Sequence, residues 1–162
     1  LILLAGMLGR ITPEHPCKEN QYLVWQRLVT HFELKLKSRL NGMGAINNGF
    51  QFRSRLLADG DMCGYQVDNN LDTDWLVRLY DEHGRHDLAL RGQRTVFDEQ
   101  GRPAISKIPE AAGKPWFRLE DWHEYRLICD GPRLTRWGCI PTGGMSARWC
   151  SCGPTQRLTT RI

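Results

Sequence analysis

Alternation of apolar and polar residues predicts β-strands along most of the first 130 residues. In HFELKLKSRL over 31–40, every second side chain is apolar and those between are charged: Phe32, Leu34 and Leu36 against Glu33, Lys35 and Lys37. A period of two is typical of a strand that buries one face. The same alternation predicts strands in FQFRSRLL over 50–57 and in YQVDNN over 65–70.

Other segments complete an all-β pattern. Further strands are predicted in YLVWQRLV over 22–29, WLVRLYDE over 75–82 and HEYRLICDG over 123–131. Gly, Asn and Asp in NGMGAINNG and ADGDMCG give turn signals between strands, and a long loop is expected from about 92 to 114. Short strands separated by turns favour an antiparallel β-sandwich or jelly roll with little helix.

The strand FQFRSRLL has two chemically different sides. Phe50 and Phe52 are expected to face the hydrophobic interior, whereas Gln51 and Arg53 face the opposite side. If the next strand is the hairpin neighbour, Gln66 and Asp68 join that opposite side, next to Gln51. The sequence therefore predicts one sheet face that carries amide, carboxylate and guanidinium groups.

The two ends of the chain differ from this pattern. LILLAGML over 1–8 is expected to be a core strand rather than the remnant of a signal peptide. The domain is assigned to 1–136. The tail over 137–162 is rich in Trp, Cys, Arg and Gly and lacks a sustained period, which suggests a shifted reading frame or disorder. A Cys-rich metal loop is the alternative for this tail.

Composition narrows the function classes. A net charge of +4 without a basic run predicts no nucleic-acid partner. No apolar stretch reaches the roughly 20 residues of a transmembrane segment. The six cysteines form no paired CxxC motifs, so a structural zinc site is weakly supported and the cysteines are interpreted as incidental. The chain also lacks a G-x-S-x-G elbow, a phosphate loop and a dinucleotide fingerprint.

Five phrases in order carry a resemblance to a known family. They are HFEL over 31–34, NGFQFR over 48–53, GYQVD over 64–68, LY over 79–80 and WHEYRL over 122–127. Together they resemble the 3-keto-disaccharide hydrolase domain, and the likeness covers about residues 6 to 136. Two departures stand out. Leu76, Val77 and Arg78 replace a small Thr-Gly-Ala phrase, and the opening and closing strands of the family are not found, so the domain is expected to be incomplete at both ends.

The resemblance implies a fold and an activity. The fold is a concanavalin A-like lectin/glucanase sandwich whose concave sheet binds sugars. The activity is cleavage of 3-keto-glycosides: a base removes the acidic C2 proton, the C1 leaving group is eliminated, and water then adds. The substrate is a carbohydrate. Because bacterial members of the family are often exported, a periplasmic or extracellular location is expected.

Candidate residues follow from this chemistry. Glu82 or His83 is the expected base, Asp68 is a second acid or base, and Arg53 would stabilise the enolate oxygen. Substrate contacts are expected from the polar and aromatic side chains nearby, namely Asn48, Gln51, Gln66, Tyr65, Tyr80 and Trp75, with Trp122 as a further aromatic platform. The requirement for a metal is left open, with a divalent cation held by Glu82, His83 or Asp68 as one form of the site.

Three alternatives remain open for the same residues. The first is that the protein is a non-catalytic carbohydrate-binding module of the same fold. The second is that the incomplete domain has no function. The third alternative concerns YDEHGRH over 80–86, which is a good polar turn in its own right, so that Asp81, His83 and His86 belong to a solvated hairpin loop.

Overall fold

Two β-sheets make up the part of the chain that the structure describes. The computed structural model describes residues 2–5, 20–25, 27–40, 47–70, 74–108, 121–138 and 147–152. These residues contain strands, turns and irregular segments and no helix. Accordingly, none of the described residues belongs to a helix that is long and apolar enough to cross a membrane.

Each sheet has six strands within the described residues. The first sheet has the order β2-β1-β4-β5-β6-β7. Its strands are β1 (Ile2–Ala5), β2 (Leu23–Trp25), β4 (Asn47–Leu56), β5 (Met62–Asn70), β6 (Leu79–Glu82) and β7 (His86–Ala89). The second sheet has the order β3-β10-β11-β12-β8-β9. Its strands are β3 (Phe32–Ser38), β8 (Gln93–Phe97), β9 (Pro103–Lys107), β10 (His123–Asp130), β11 (Arg133–Gly138) and β12 (Ala147–Cys152). Neighbouring strands are antiparallel except β12 and β8, which are parallel.

The hydrophobic core lies between the two sheets. Phe50 and Phe52 of β4 are both buried, and the Phe50 ring lies 5.1 Å from the ring of Tyr125 on β10. Buried apolar side chains of both sheets form one cluster around them, including Val67, Leu79, Leu127 and Cys129. Side chains from two sheets that interdigitate in this way define a β-sandwich, so the predicted fold class is confirmed.

The alternation predicted for the segment 31–40 is also confirmed. Along β3, apolar side chains are partly buried and charged ones are exposed. On the exposed side, Glu33 accepts a hydrogen bond from Arg126 of β10 at 2.6 Å, and Lys37 pairs with Glu124 at 3.2 Å. The outer side of the second sheet is therefore covered by solvent-exposed ion pairs, which contribute little to stability individually.

The long loop predicted for 92–114 is wrong over residues 93–107. Residues 93–107 form the β8–β9 hairpin, with Gln93 paired to Lys107. Thr95 and Phe97 are buried, and both are residue types that favour strands. The turn is closed by Asp98, whose carboxylate accepts the backbone N–H of Arg102 at 2.8 Å. A hairpin with a polar tip explains why the segment resembles a loop. Residues 109–114 lie outside the described residues.

Several other element boundaries differ from the prediction. Residues 74–77 form a turn, so the strand predicted for 75–82 begins only at Leu79. The strand predicted for 22–29 is limited to the three exposed residues of β2. The apolar start of the chain does form a strand, β1, between β2 and β4. In the tail, residues 147–152 pair with β11 as strand β12, and the boundary predicted at residue 136 stays a prediction.

A β-bulge interrupts the pairing of β4 with β5. Arg53 and Ser54 both lie opposite Gly64, and the register shifts between Phe52 and Arg55. Arg53 has a positive φ of 51°, and Gly64 has a φ of 140°. A Cβ atom on Gly64 would lie 2.7 Å from the Ser54 Cα and 3.0 Å from the Arg53 carbonyl oxygen. Only glycine fits at this position, because a side chain would collide with backbone atoms of the bulge.

Replacing this glycine is expected to destabilise the fold. We predict that Gly64→Ala lowers the free energy of unfolding by about 2 kcal/mol, through backbone strain and the collision with the bulge. Gly60→Ala is the matched control, since Gly60 also has a positive φ, of 88°, but has no atom within 4 Å of a built Cβ. Urea denaturation of both variants measures the difference, and equal losses would show that the close approach to Ser54 costs nothing.

Candidate active site

Polar side chains from three neighbouring strands line the outward side of the first sheet. The pairings Gln51 with Gln66, Gln66 with Tyr80, and Gly64 with Glu82 place these positions on the side opposite Phe50 and Phe52. We call this surface the polar face, which consists of Gln51, Gln66, Asp68, Tyr80 and Glu82. The prediction that Gln51, Gln66 and Asp68 share one side of the sheet is confirmed.

A buried hydrogen-bonded row forms the floor of the polar face. Gln51 Nε2 donates to Gln66 Oε1 at 3.1 Å, and Gln66 Nε2 donates to Asp68 Oδ1 at 2.8 Å. Gly49 leaves room for this row, because a Cβ there would lie 2.6 Å from the Gln66 side chain. The two hydrogen bonds join the three side chains into one buried network, in which Gln51 Oε1 and Asp68 Oδ2 have no partner among the described residues.

Asp68 is the buried carboxyl at one end of this row. Its side chain is 2% exposed, and Oδ2 has no hydrogen-bond partner among the described residues. Burial raises the pKa of Asp68 to about 6, although the hydrogen bond from Gln66 acts in the opposite direction. The charged form of this carboxyl is therefore less stable than that of an exposed aspartate.

Two predicted aromatic platforms lie together beside Asp68. Trp75 is 39% exposed, and its ring centroid lies 6.5 Å from that of Tyr80. The guanidinium of Arg78 stacks over Trp75 at 3.8 Å from the ring centroid, and Arg78 Nη1 donates to Asp87 Oδ1 at 3.0 Å. The backbone N–H of Asp68 donates to the Arg78 carbonyl at 3.0 Å, which connects this aromatic pair to the polar face.

Glu82 ends β6 at the other end of the polar face. Its carboxylate is partly buried and makes no hydrogen bond within the described residues. Burial raises the pKa of Glu82, and the neighbouring His83 acts against that rise. A partly exposed carboxylate that has a raised pKa and no hydrogen-bond donor is free to accept a proton from a ligand.

His83 is held by a residue that the sequence did not single out. His83 Nε2 lies 2.9 Å from Asp61 Oδ2, and the Tyr22 hydroxyl donates to Asp61 Oδ1. The hydrogen bond to Asp61 raises the pKa of His83, and the hydrogen bonds from Tyr22 and His83 lower that of Asp61. Asp61 lies in the turn between β4 and β5, where the sequence shows only turn chemistry and gives no signal of a partner 22 residues later.

Asp68 and Glu82 do not meet in one compact pair. Glu82 pairs with Gly64, four positions along β5 from Asp68. Four strand residues span about 13 Å. Tyr80 and Gln66 lie between the two backbone positions, although the charge of Glu82 still contributes to raising the pKa of Asp68.

The residues proposed for a divalent cation do not fit a common site. Asp68 is at the opposite end of the polar face from Glu82, and His83 directs Nε2 to Asp61. Within the described ranges, no group of three His, Cys, Asp or Glu side chains is arranged to hold a metal ion.

Arg53 is not on the polar face, and that part of the prediction is wrong. Its guanidinium donates to the carbonyl oxygens of Thr30, at 3.3 Å, and Gly131 at the edge of the second sheet. The reason is the β-bulge, which breaks the alternation that the sequence pattern assumes. Arg53 therefore connects the two sheets rather than facing a ligand beside Gln51.

Asn48 and Tyr65 also lie on the inner side of the sheet, contrary to the prediction. Asn48 pairs with Asn69, whose Oδ1 accepts a hydrogen bond from Tyr125 of the second sheet at 2.8 Å. Tyr65 pairs with Phe52, and their ring centroids are 5.8 Å apart. Both positions follow from strict alternation, because Asn48 is two residues from the inward-facing Phe50 and Tyr65 is two residues from the inward-facing Val67.

Trp122 lies apart from the polar face. It precedes β10 in the second sheet, is 63% exposed, and has the guanidinium of Arg39 at 5.0 Å from its ring centroid. The interior of the sandwich separates β10 from the outward side of the first sheet. The sequence prediction that it joins Trp75 and Tyr80 as a platform is therefore wrong.

Comparison with known proteins identifies one family. The family model described as 3-keto-alpha-glucoside-1,2-lyase-like domain matches residues 6–138. That range includes the whole polar face, Asp61 and His83. A search of the curated proteins and a search of the solved structures each gave no match.

Proposed function

Because the chain belongs to the 3-keto-alpha-glucoside-1,2-lyase-like domain family, we propose that it cleaves 3-keto-glycosides by elimination across C1 and C2. A keto group at C3 acidifies the proton on C2, so cleavage begins with a base rather than with protonation of the glycosidic oxygen. The protein's task is then to place one base beside C2 and one proton donor beside the leaving oxygen.

Glu82 is the proposed base. The observation that carries this assignment is a partly buried carboxylate on the polar face, with a raised pKa and no hydrogen bond within the described residues. Abstraction of the C2 proton by Glu82 moves the C–H electron pair into an enolate whose negative charge lies on the C3 oxygen. A base with a pKa shifted toward neutral combines the ionised form with enough basicity to remove this proton.

His83 is the proposed proton donor. Its ring follows Glu82 directly in the chain, and the hydrogen bond to Asp61 favours the protonated form. As the enolate collapses, a C1–C2 double bond forms and the C1–oxygen bond breaks, and the leaving oxygen takes a proton from His83. Release at this point gives the unsaturated keto sugar, and addition of water across C1 and C2 completes a hydrolysis.

The rest of the polar face supports the sugar in this proposal. Trp75 is 39% exposed and has the Arg78 guanidinium over its ring, Tyr80 is partly exposed beside it, and the hydrogen-bonded row of Gln51, Gln66 and Asp68 lies next to Tyr80 on the same side of the sheet. Aromatic faces beside a few fixed polar groups are typical of ligand sites. Asp68 itself is too buried to touch substrate directly, so we assign it to the floor and not to proton transfer.

Matched substrates test the proposed function. We predict that the protein releases p-nitrophenol from the 3-keto derivative of p-nitrophenyl glucoside and leaves p-nitrophenyl glucoside itself intact. Binding of the keto-glycoside without release, measured by calorimetry, would contradict the elimination and favour the non-catalytic carbohydrate-binding module. Equal release from both substrates would indicate an ordinary glycosidase and would also contradict the proposal.

A further inference from the structure

Three hydrogen-bonded side chains connect three separate turns and loops of the first sheet. Tyr22 precedes β2, Asp61 lies between β4 and β5, and His83 lies between β6 and β7. Tyr22 donates to one carboxylate oxygen of Asp61, and His83 Nε2 lies 2.9 Å from the other. Both oxygens of Asp61 are therefore engaged by side chains from distant parts of the sequence.

The protonation states of Asp61 and His83 determine which ring nitrogen of His83 is available to a ligand. Hydrogen bonds from Tyr22 and His83 lower the pKa of Asp61, so it is an ionised acceptor at neutral pH. An ionised carboxylate accepts a hydrogen bond, and so Nε2 must carry a proton in both the neutral and the charged ring. Nδ1 makes no hydrogen bond within the described residues, which leaves it as the nitrogen that can exchange a proton with a ligand.

We propose that Asp61 is a positioning residue, which holds the His83 ring through Nε2 and presents Nδ1–H as the proton donor of the site. The donor role rests on the proposed function, whereas the orientation of the ring rests on the hydrogen bonds alone. An orienting carboxylate behind a histidine sets both its tautomer and the stability of its charged form. Asp61 would thus act on the reaction without touching the substrate.

The acidic groups near His83 raise its pKa and so favour the protonated ring, whereas burial acts in the opposite direction. Asp61 makes the largest contribution, followed by Glu82, which precedes the ring in the chain, and Asp59, which shares the turn of Asp61. Tyr22 faces Asp61 rather than the imidazole. His83 also has a positive φ of 57°, so its backbone lies in the left-handed region that a non-glycine residue seldom adopts. This conformation belongs to the β6–β7 turn, where the Gly84 N–H donates to the Asp81 carbonyl at 3.1 Å.

Asp61→Asn and the matched control Asp59→Asn test this inference. Both variants remove one negative charge from the same turn, but only Asp61 is hydrogen-bonded to the ring. NMR titration of labelled histidine without any sugar should show that the pKa of His83 falls in Asp61→Asn by clearly more than in Asp59→Asn. With 3-keto-glycoside as substrate, the alkaline limb of the kcat/KM profile should move to lower pH by the same amount. An unchanged His83 pKa, or an unchanged alkaline limb beside a shifted pKa, would overturn the proposal.

The unmodified protein supplies an independent test. The nitrogen chemical shifts of neutral His83 should identify the Nε2–H tautomer, and the Nδ1–H tautomer would overturn the inference even if Asp61→Asn failed to fold. This readout needs no turnover. If the protein cleaves no 3-keto-glycoside, the proposed function and the donor role of His83 fail together, whereas the tautomer still decides whether Asp61 orients the ring.

Discussion

Glu82→Gln is expected to lower kcat/KM for a 3-keto-glycoside by about 100-fold or more, the usual effect of losing a positioned general base. The amide has nearly the same shape as the carboxylate but cannot take the C2 proton. Because the Glu82 carboxylate makes no hydrogen bond within the described residues, its replacement breaks no observed contact. Initial rates across pH 5–9, with the unfolding temperature measured alongside, test the prediction.

Glu124→Gln is the matched control for this substitution. Glu124 is an exposed carboxylate on β10 that pairs with Lys37 at 3.2 Å, on the outer side of the second sheet. Its loss should leave both the rate and the unfolding temperature close to those of the wild type. Full activity of Glu82→Gln would show that the base lies elsewhere, whereas a parallel loss of activity and folded protein would show a structural role for Glu82.

Asp68→Asn is expected to stabilise the protein at neutral and alkaline pH. Burial raises the pKa of Asp68 in the folded protein to about 6, above its ordinary value of 3.8. A carboxyl with a raised folded pKa contributes stability that is present below pH 4 and is lost as the pH rises through 6. The penalty of keeping this group ionised at pH 8 is about 3 kcal/mol. The amide removes that penalty, and its oxygen can still accept the hydrogen bond from Gln66.

Denaturation of Asp68→Asn at several pH values shows whether this sign is right. The gain should be largest at pH 8 and should disappear at pH 3. Asp98→Asn provides a control of opposite sign, because hydrogen bonds from Arg102 lower the pKa of Asp98 and its ionised form stabilises the β8–β9 turn. A loss of stability in Asp68→Asn at pH 8 would mean that the buried ionised carboxylate is required by the floor of the polar face.

The sequence predicted best those features that depend on strict alternation. The charged and apolar sides of β3, and the shared face of Gln51, Gln66 and Asp68, follow from a period of two and appear in the structure. Applied consistently, the same rule also places Asn48 and Tyr65 inside. The prediction that they contact substrate relied on their polar and aromatic chemistry and ignored the side of the strand on which they lie.

Features that break alternation could not be predicted in this way. The bulge at Arg53 depends on a left-handed residue opposite Gly64, and neither residue alone indicates a bulge. The pairing of Asp61 with His83 depends on two turns being brought together by β5 and β6. Such contacts are properties of the tertiary structure, and a local pattern of residues does not predict them.

The fate of the C2 hydrogen tests the central claim most directly. The wild type, Glu82→Gln and an enzyme-free control would be incubated with a 3-keto-glycoside in D₂O, and deuterium at C2 of the sugar measured by NMR and mass spectrometry. We predict that the wild type loses the original C2 hydrogen at the rate of aglycone release and that the product carries deuterium at C2 once water has added. For Glu82→Gln we predict loss of this hydrogen near the enzyme-free rate. Aglycone release by the wild type with the original hydrogen retained at C2 would contradict the account.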